Sequence, residues 1–456
     1  MARKRTKIRN IDDITVRNAM AHGSWQTKCT LLISGFGSLA HGQIVKGVLF
    51  LAYQALTWFV FIAFGTPFLK DLGTLGTQAM GQVYDEELQF YISVLGDNSL
   101  QILLYSLFAI AVLVIGMIIH FGAVRAAYTA EVDIRKGRRP TGFVTDIRNL
   151  FDRRMHTSML TLPSIGVIAF TVLPIVFMVL LAFTNFDRNH QPPGNLFTWV
   201  GFENFVNVFD SNGFMGNTFS NVLIWTLIWA VFATFLNYLL GMVVALMINK
   251  AGIKLKSLWR TCFVIAIAVP AFVTLLFVRQ MLGDLGPVNT ILNSLGLGTV
   301  RFLNDAMTAR ITVIIVNLWI GIPYTMLITS GILMNIPADL YEAARIDGAG
   351  PLRQFRSITL PYMLIVTAPY LITQFIGNIN NFNAIWFLTA GGPLQVDYYN
   401  AGSTDLLVTW LYRLTVNYSD YNLASVIGIL TFIVSAVIAL VTFNITASER
   451  KEETFR

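Results

Sequence analysis

Three asparagines within four residues, Asn378, Asn380 and Asn381, interrupt an otherwise apolar stretch that also carries Gln374, Phe375 and Phe382. A second apolar stretch holds Asn317, Trp319 and Tyr324, with Gly321 and Pro323 between them. An amide both donates and accepts hydrogen bonds, and an aromatic face covers the apolar face of a ring, so these side chains suit a neutral polyhydroxylated ligand such as a sugar. The competing role for each amide is to tie neighbouring helices together by hydrogen bonds, and for Gly321 and Pro323 to close-pack and kink a helix. Residues three or seven apart share a helix face, so Asn317 and Tyr324 are expected on one face of one span, and Asn378 and Asn381 on one face of a single helix, the next span.

A different chemistry is written between these two stretches. Tyr341 to Asp347 is made of good helix formers, with Glu342 in the expected first turn, where a carboxylate complements the helix dipole, and Gly348 able to end the helix. Leu352, Phe355, Ile358 and Leu360 then recur at roughly helical spacing beside Arg353 and Arg356, which predicts a short amphipathic element stopping before Pro361. An element of this kind suits a partner's groove or a layer of lipid headgroups.

The elements that must position both groups are apolar. The chain has 456 residues, 55% of them hydrophobic and only 12% charged, about half the charged fraction of a soluble domain. A hydrocarbon core takes about 20 helical residues to cross. Eight runs are long enough, near Ile44–Phe64, Ile102–Phe121, Met159–Phe183, Asn221–Met247, Thr261–Met281, Ile311–Leu333, Tyr362–Ile379 and Leu423–Phe443. The expected fold is therefore all-α and polytopic, an integral membrane protein. Alternate connections hold 25 of the 32 Lys and Arg residues, which by the positive-inside rule places both termini and the Glu342 loop in the cytoplasm. The net charge of +7 is thus spread over membrane-flanking loops, and no nucleic-acid motif accompanies it.

Several function classes lose support. No Asp, Glu, Lys or Arg falls near the middle of a span, Lys46 and Arg279 lying close to ends, which disfavours a proton- or voltage-coupled machine. A sodium-coupled sugar symporter, holding its ion by neutral oxygens, is the rival from another class. There is no G-x-x-x-x-G-K-[ST] phosphate loop, so any ATP must be bound by a partner. The five His form no cluster with acidic residues at membrane depth, and no catalytic or metal site is expected. Cys29 and Cys262 read as packing residues. The basic start, followed by a Gly- and Ser-containing stretch over Cys29–Leu39 too short to span, reads as a retained N-terminus with an interfacial or re-entrant lead-in.

The order E-A-A at Glu342, Ala343 and Ala344, then Asp347-Gly348, then I-x-L-P at Ile358, Leu360 and Pro361 resembles the EAA coupling loop of permease subunits in ATP-driven (ABC) importers. Asn317 to Tyr324, Asn378 to Pro393 and Ala401 to Arg413 narrow the resemblance to the larger permease subunit of bacterial maltose/maltodextrin ABC importers. It implies a type I importer core over 159–447, with Asn317, Gly321, Tyr324, Asn378 and Asn381 lining the sugar path. It further implies no cofactor on this chain, a second homologous permease, and two ATPase subunits holding ATP and Mg. An extracellular sugar-binding lipoprotein would deliver maltose or maltodextrin. Two departures stand out: Ile267 and Ala271 replace a Tyr and a Ser of that family, and the loop Thr184–Ser220 has no large insertion, which is the Gram-positive pattern. The implied organisation is a basic N-terminus and lead-in (1–43), two N-terminal helices (44–123), a basic connector (124–158), the core with its coupling loop at 341–361, and a tail (448–456).

Overall fold

The computed structural model describes residues 13–86, 89–153, 155–250 and 252–453. Five basic residues of the N-terminal segment, from Arg3 to Arg9, together with Arg154 and residues 454–456 of the expected tail, lie outside the described residues. Among the described residues, seven helices are long and apolar enough to cross a membrane, or eight if one sharply bent pair counts as a single span. The chain divides into two compact units, Met1–Trp199 and Val200–Arg456.

The first unit is built on α1 (Ile44–Asp71), α2 (Ser99–Arg135) and α3 (Met155–Leu181). In α1 and α3 only 6% of the residues in the most apolar window are buried inside the chain, which leaves their apolar side chains available to lipid. Asn98 starts α2 by accepting a hydrogen bond from the Gln101 amide. The lead-in expected before the first span is a set of short helices, Val16–His22, Trp25–Cys29 and Phe36–Ala40, gathered on the far end of α2. They are tied there by Glu131, whose carboxylate accepts from Ser24 N at 2.9 Å, Ser24 Oγ at 3.0 Å and Thr27 Oγ1 at 2.5 Å and pairs with Arg135. A buried carboxylate needs such donors, and here it takes them from a helix start that has amides to spare. Between α1 and α2 the chain forms an antiparallel hairpin, β1 (Gly81–Asp85) and β2 (Phe90–Val94), with Tyr84 opposite Tyr91. Asp97 accepts from the backbone amides of Gln78 and Thr77, which hold its carboxyl below its ordinary value.

The second unit contains α4 (Phe214–Asn249), α5 (Lys256–Ala268), α6 (Ala271–Met281), α7 (Ala306–Leu333), α8 (Ala338–Ile346), α9 (Pro351–Ile379), α10 (Phe382–Thr389), α11 (Leu407–Arg413) and α12 (Tyr421–Glu453). Its core joins Trp225 and Trp229 of α4 to Leu275 and Val278 of α6, Val313 and Val316 of α7, and Ile385 and Leu388 of α10. The expected span over Thr261–Met281 is not straight. It breaks into α5 and α6, bent by 87°. Val269 is extended, as the residue before a proline prefers, and Pro270 offers no amide to carry the helix on. Several helices also contain a π turn, including Phe232–Leu236 within α4 and Phe355–Thr359 within α9.

The connection after α10 is held by a buried ion pair. Asp405 is fully buried and Arg413 is 7% exposed. Asp405 lies 3.2 Å from Arg413 Nε as an ion pair and accepts from Gly402 N at 2.8 Å and Thr409 Oγ1 at 2.8 Å, while Arg413 donates to the Ala390 carbonyl. Removing the cation alone leaves a charge stranded in the core. Arg413→Ala is therefore expected to destabilise the protein by about 3–5 kcal/mol. Replacing both partners by neutral residues of similar size is expected to cost clearly less, and thermal unfolding of the detergent-solubilised variants checks both outcomes.

Candidate functional site

The residues singled out around Asn317 and Asn378 come from α7 and α9, and the structure adds α4 to them. Helices α4 and α7 approach closely: a Cβ at Gly321 would lie 2.0 Å from Asn237 Nδ2, and one at Gly241 would lie 2.1 Å from Thr325 Oγ1. Only glycine allows these contacts. Thr325 Oγ1 completes the seam by donating to the Asn237 carbonyl at 3.1 Å. Beside the seam, Thr234, Asn237 and Tyr238 of α4, Gly321 and Tyr324 of α7, and Tyr370 and Gln374 of α9 line a cavity of about 50 Å³. Tyr324 stands at its edge, 48% exposed, its ring 6.5 Å from that of Tyr370. Tyr238 uses its hydroxyl internally, 2.7 Å from Thr367 Oγ1.

Asn378 lies at the same junction. Its amide Nδ2 donates to Thr234 Oγ1 at 2.9 Å, and its backbone carbonyl accepts from Trp229 Nε1 at 3.1 Å. It therefore does tie α9 to α4, and it remains half-buried. Asn381 is not on the helix of Asn378. Helix α9 ends at Ile379, and Asn381 is the N-cap of α10, its Oδ1 accepting from Ala384 N at 3.2 Å while its Nδ2 donates to Asn378 Oδ1 at 3.3 Å. The two amides thus meet across a helix break and not along one face. Asn380 is exposed and donates to the Ile376 carbonyl at 3.2 Å. Asn317, one turn before Gly321, is half-buried, and its amide has no partner among the described residues.

The polar hairpin is placed separately. Helix α8 starts at Ala338, so its first-turn acid is Asp339 and Glu342 falls in the second turn. It ends at Ile346 with Asp347 as its C-cap, and Gly348 takes φ +75, the left-handed conformation that lets the chain turn out of a helix. The amphipathic element that follows does not stop before Pro361. It begins at Pro351 and runs through the π turn Phe355–Thr359 into the span, with Pro361 tolerated in the first turn of the renewed helix. Tyr341 Oη and Thr359 Oγ1, 2.9 Å apart, pin α8 to the start of α9. Leu340, Ile346 and Leu352 are 47%, 86% and 63% exposed. Gly350, Leu352, Arg353 and Arg356 border an open cleft of about 450 Å³ beside them. Ile358 and Leu360 are half-buried, while Glu342, Ala343, Asp347 and Pro361 are exposed and Ala344 intermediate.

Asn237 and Tyr370 are the site residues that sequence reasoning missed. Each is one of a few scattered polar groups in an apolar run, Asn237 beside Thr234 and Tyr238 and Tyr370 beside Thr367 and Gln374, a weak signal until three helices bring them together. No group of His, Cys, Asp or Glu suited to a metal occurs among the described residues.

The chain thus combines a polytopic helical fold, a neutral polar cavity and a polar hairpin with exposed apolar side chains. Residues 237–450 match the family described as binding-protein-dependent transport system inner membrane component. The chain is 35% identical over 424 residues to a galactooligosaccharides transport system permease protein of Bacillus subtilis, covering 92% of this chain and 97% of that one. It is 34% identical to a maltodextrin transport system permease protein of Streptococcus pneumoniae, covering 91% and 94%. The fold is similar to a bacterial ABC transporter involved in alginate import, with a TM-score of 0.52 at 23% identity over 66% of this chain and 98% of that one. The chain belongs to this family of ABC-importer permeases: it is a multi-span membrane subunit for transport, not an enzyme.

Proposed function

We propose that this chain forms one half of the transmembrane path of an ATP-driven importer for a neutral oligosaccharide of the maltodextrin class. The observation that carries the proposal is the meeting of neutral polar and aromatic side chains from α4, α7 and α9, with no ionisable acid or base among them. Such a lining fits hydroxyl groups and offers nothing to a charged solute. Asn317, Gly321, Tyr324, Asn378 and Asn381 are the residues assigned to the sugar path. Maltodextrin is preferred on the segments that resemble maltose permeases. The galactooligosaccharide relative, at similar identity, makes that sugar class the second reading.

The chain would work beside a second permease of the same family and receive sugar from an external binding protein. Two ATPase subunits, holding ATP and Mg, would dock at α8 and the cleft around Leu352, with no cofactor on the chain itself. The segment 159–447 would act as the transport core, preceded by the two helices and basic connector. Both termini and the α8 loop would face the cytoplasm, on the distribution of basic residues.

Asn378→Ala is expected to lower uptake per assembled complex severalfold, since each lost sugar hydrogen bond is worth about 0.5–1.5 kcal/mol. If its only role is to hold Thr234, the amount of complex should fall while uptake per complex stays normal, and the sugar-path assignment fails. Gly348→Val is expected to uncouple transport from ATP hydrolysis while the chain still reaches the membrane. No atom lies within 4 Å of a Cβ there, so the strain is that of a β-branched residue at positive φ, about 1–2 kcal/mol. Normal sugar-stimulated ATP hydrolysis in that variant would remove the docking assignment. A reporter active only outside the cell should be silent when fused after Phe121 or Phe443 and active after Phe183; the reverse pattern inverts the orientation.

A further inference from the structure

The cavity at the junction of α4, α7 and α9 contains two polar atoms that the protein leaves unused. Asn237 is 7% exposed and its Oδ1 accepts no hydrogen bond among the described residues; Tyr370 Oη is likewise buried and has no partner there. Both residues line the cavity of about 50 Å³. Three neighbouring polar groups are already paired: Tyr238 with Thr367, Thr234 with Asn378, and Thr325 with the Asn237 carbonyl. A buried polar atom without a partner is destabilising, so two around one small space call for an occupant.

The two atoms specify what that occupant is. Asn237 Oδ1 can only accept, while a phenol both donates and accepts. A single hydroxyl answers both, donating to Asn237 Oδ1 and accepting from Tyr370. The volume admits one or two water-sized groups and is far too small for a pyranose ring. On a hexopyranose the exocyclic hydroxymethyl is the one hydroxyl carried off the ring on an extra rotatable bond, so it alone can enter while the ring stays outside, against Tyr324 and Gln374. We infer that the Asn237–Tyr370 cavity is a specificity pocket for the hydroxymethyl group of a hexose unit, occupied by water between transport events. The inference rests on the reading of Tyr324 and Asn378 as sugar-facing. It adds two specificity-determining residues, from α4 and α9, to those assigned above.

A site built to bind a hydroxyl discriminates strongly against the analogue that lacks it, because its own polar groups are then buried unpaired. The test uses the complete transporter, with partner permease, ATPases and binding protein, in proteoliposomes. Uptake per assembled complex is measured for maltotriose and for maltotriose with its 6-hydroxyls replaced by hydrogen, or for galactobiose and its 6-deoxy analogue if maltotriose is not carried. The binding protein is common to all reactions, so a change in the ratio of the two rates belongs to the permease. Tyr370→Phe and Asn237→Leu, both close in size to the native residue, are each expected to reduce the preference for the hydroxylated sugar at least fivefold, by slowing that sugar and sparing the analogue. An unchanged ratio, whether the two rates fall together or neither moves, would mean that the cavity holds water only and overturns the inference. If the wild type carries neither sugar, the functional reading fails and takes this one with it. If the wild type transports normally and Asn378→Ala impairs it while Tyr370→Phe leaves the ratio intact, only the pocket is rejected.

Discussion

The second unit depends on how closely α4 and α7 approach. Gly241 and Gly321 leave room only for Thr325 and Asn237 opposite them, and the threonine hydroxyl bonds the facing carbonyl across the gap. In a bilayer there is little hydrophobic drive between helices, so contact of this kind, with small residues and a few polar links, is what holds them in register. With α4 and α7 fixed face to face, α9 lies beside them, linked by Trp229 to Asn378, Asn378 to Thr234, and Tyr238 to Thr367. Polar groups that would be expensive if scattered are thereby concentrated at one place.

The sequence was most legible where one helix decides the matter. The apolar runs marked the spans, and the Gly348 position was readable because a helix stop needs only local chemistry. It was less legible where a local rule was present but averaged away. Pro270 sat in plain view in the fifth apolar run, yet a hydropathy window treats it as one residue among twenty, and the bend it produces appears only when the backbone is traced. Asn381 is a similar case: the asparagine that looked like a further turn of α9 is a preferred N-cap type, and it starts α10 instead. Glu342 moved from the first turn to the second because the helix begins at Ala338, after Pro337, which supplies no signal in the Tyr341–Asp347 window. Asn237 and Tyr370 were not legible, since an unpartnered atom is a property of three helices together.

Charge in this chain is kept to the connections, and the structure shows how the exceptions are managed. Glu131 near the end of α2 is surrounded by donors from the N-terminal helices, and Asp405 is matched by Arg413, Thr409 and a backbone amide. Each carboxylate therefore fastens a short segment to its neighbours by hydrogen bonds as well as by packing. The same economy leaves the junction of α4, α7 and α9 free of fixed charge.

The π turn in α4 has a consequence for the whole helix. Trp225, Trp229, Ala233, Asn237, Gly241 and Ala245 are all buried, and they follow one another at intervals of four residues. On a regular α-helix each such step overshoots a full turn by about 40°, so the sequence of six would wind about 200° round the axis and end on the opposite side from where it began. The wide turn at Phe232–Leu236 takes up one extra residue, about 100° of that drift, in the middle of the series. It acts as a phase corrector, letting the tryptophans that meet the α10 side and the small residues that meet α7 belong to one continuous stripe.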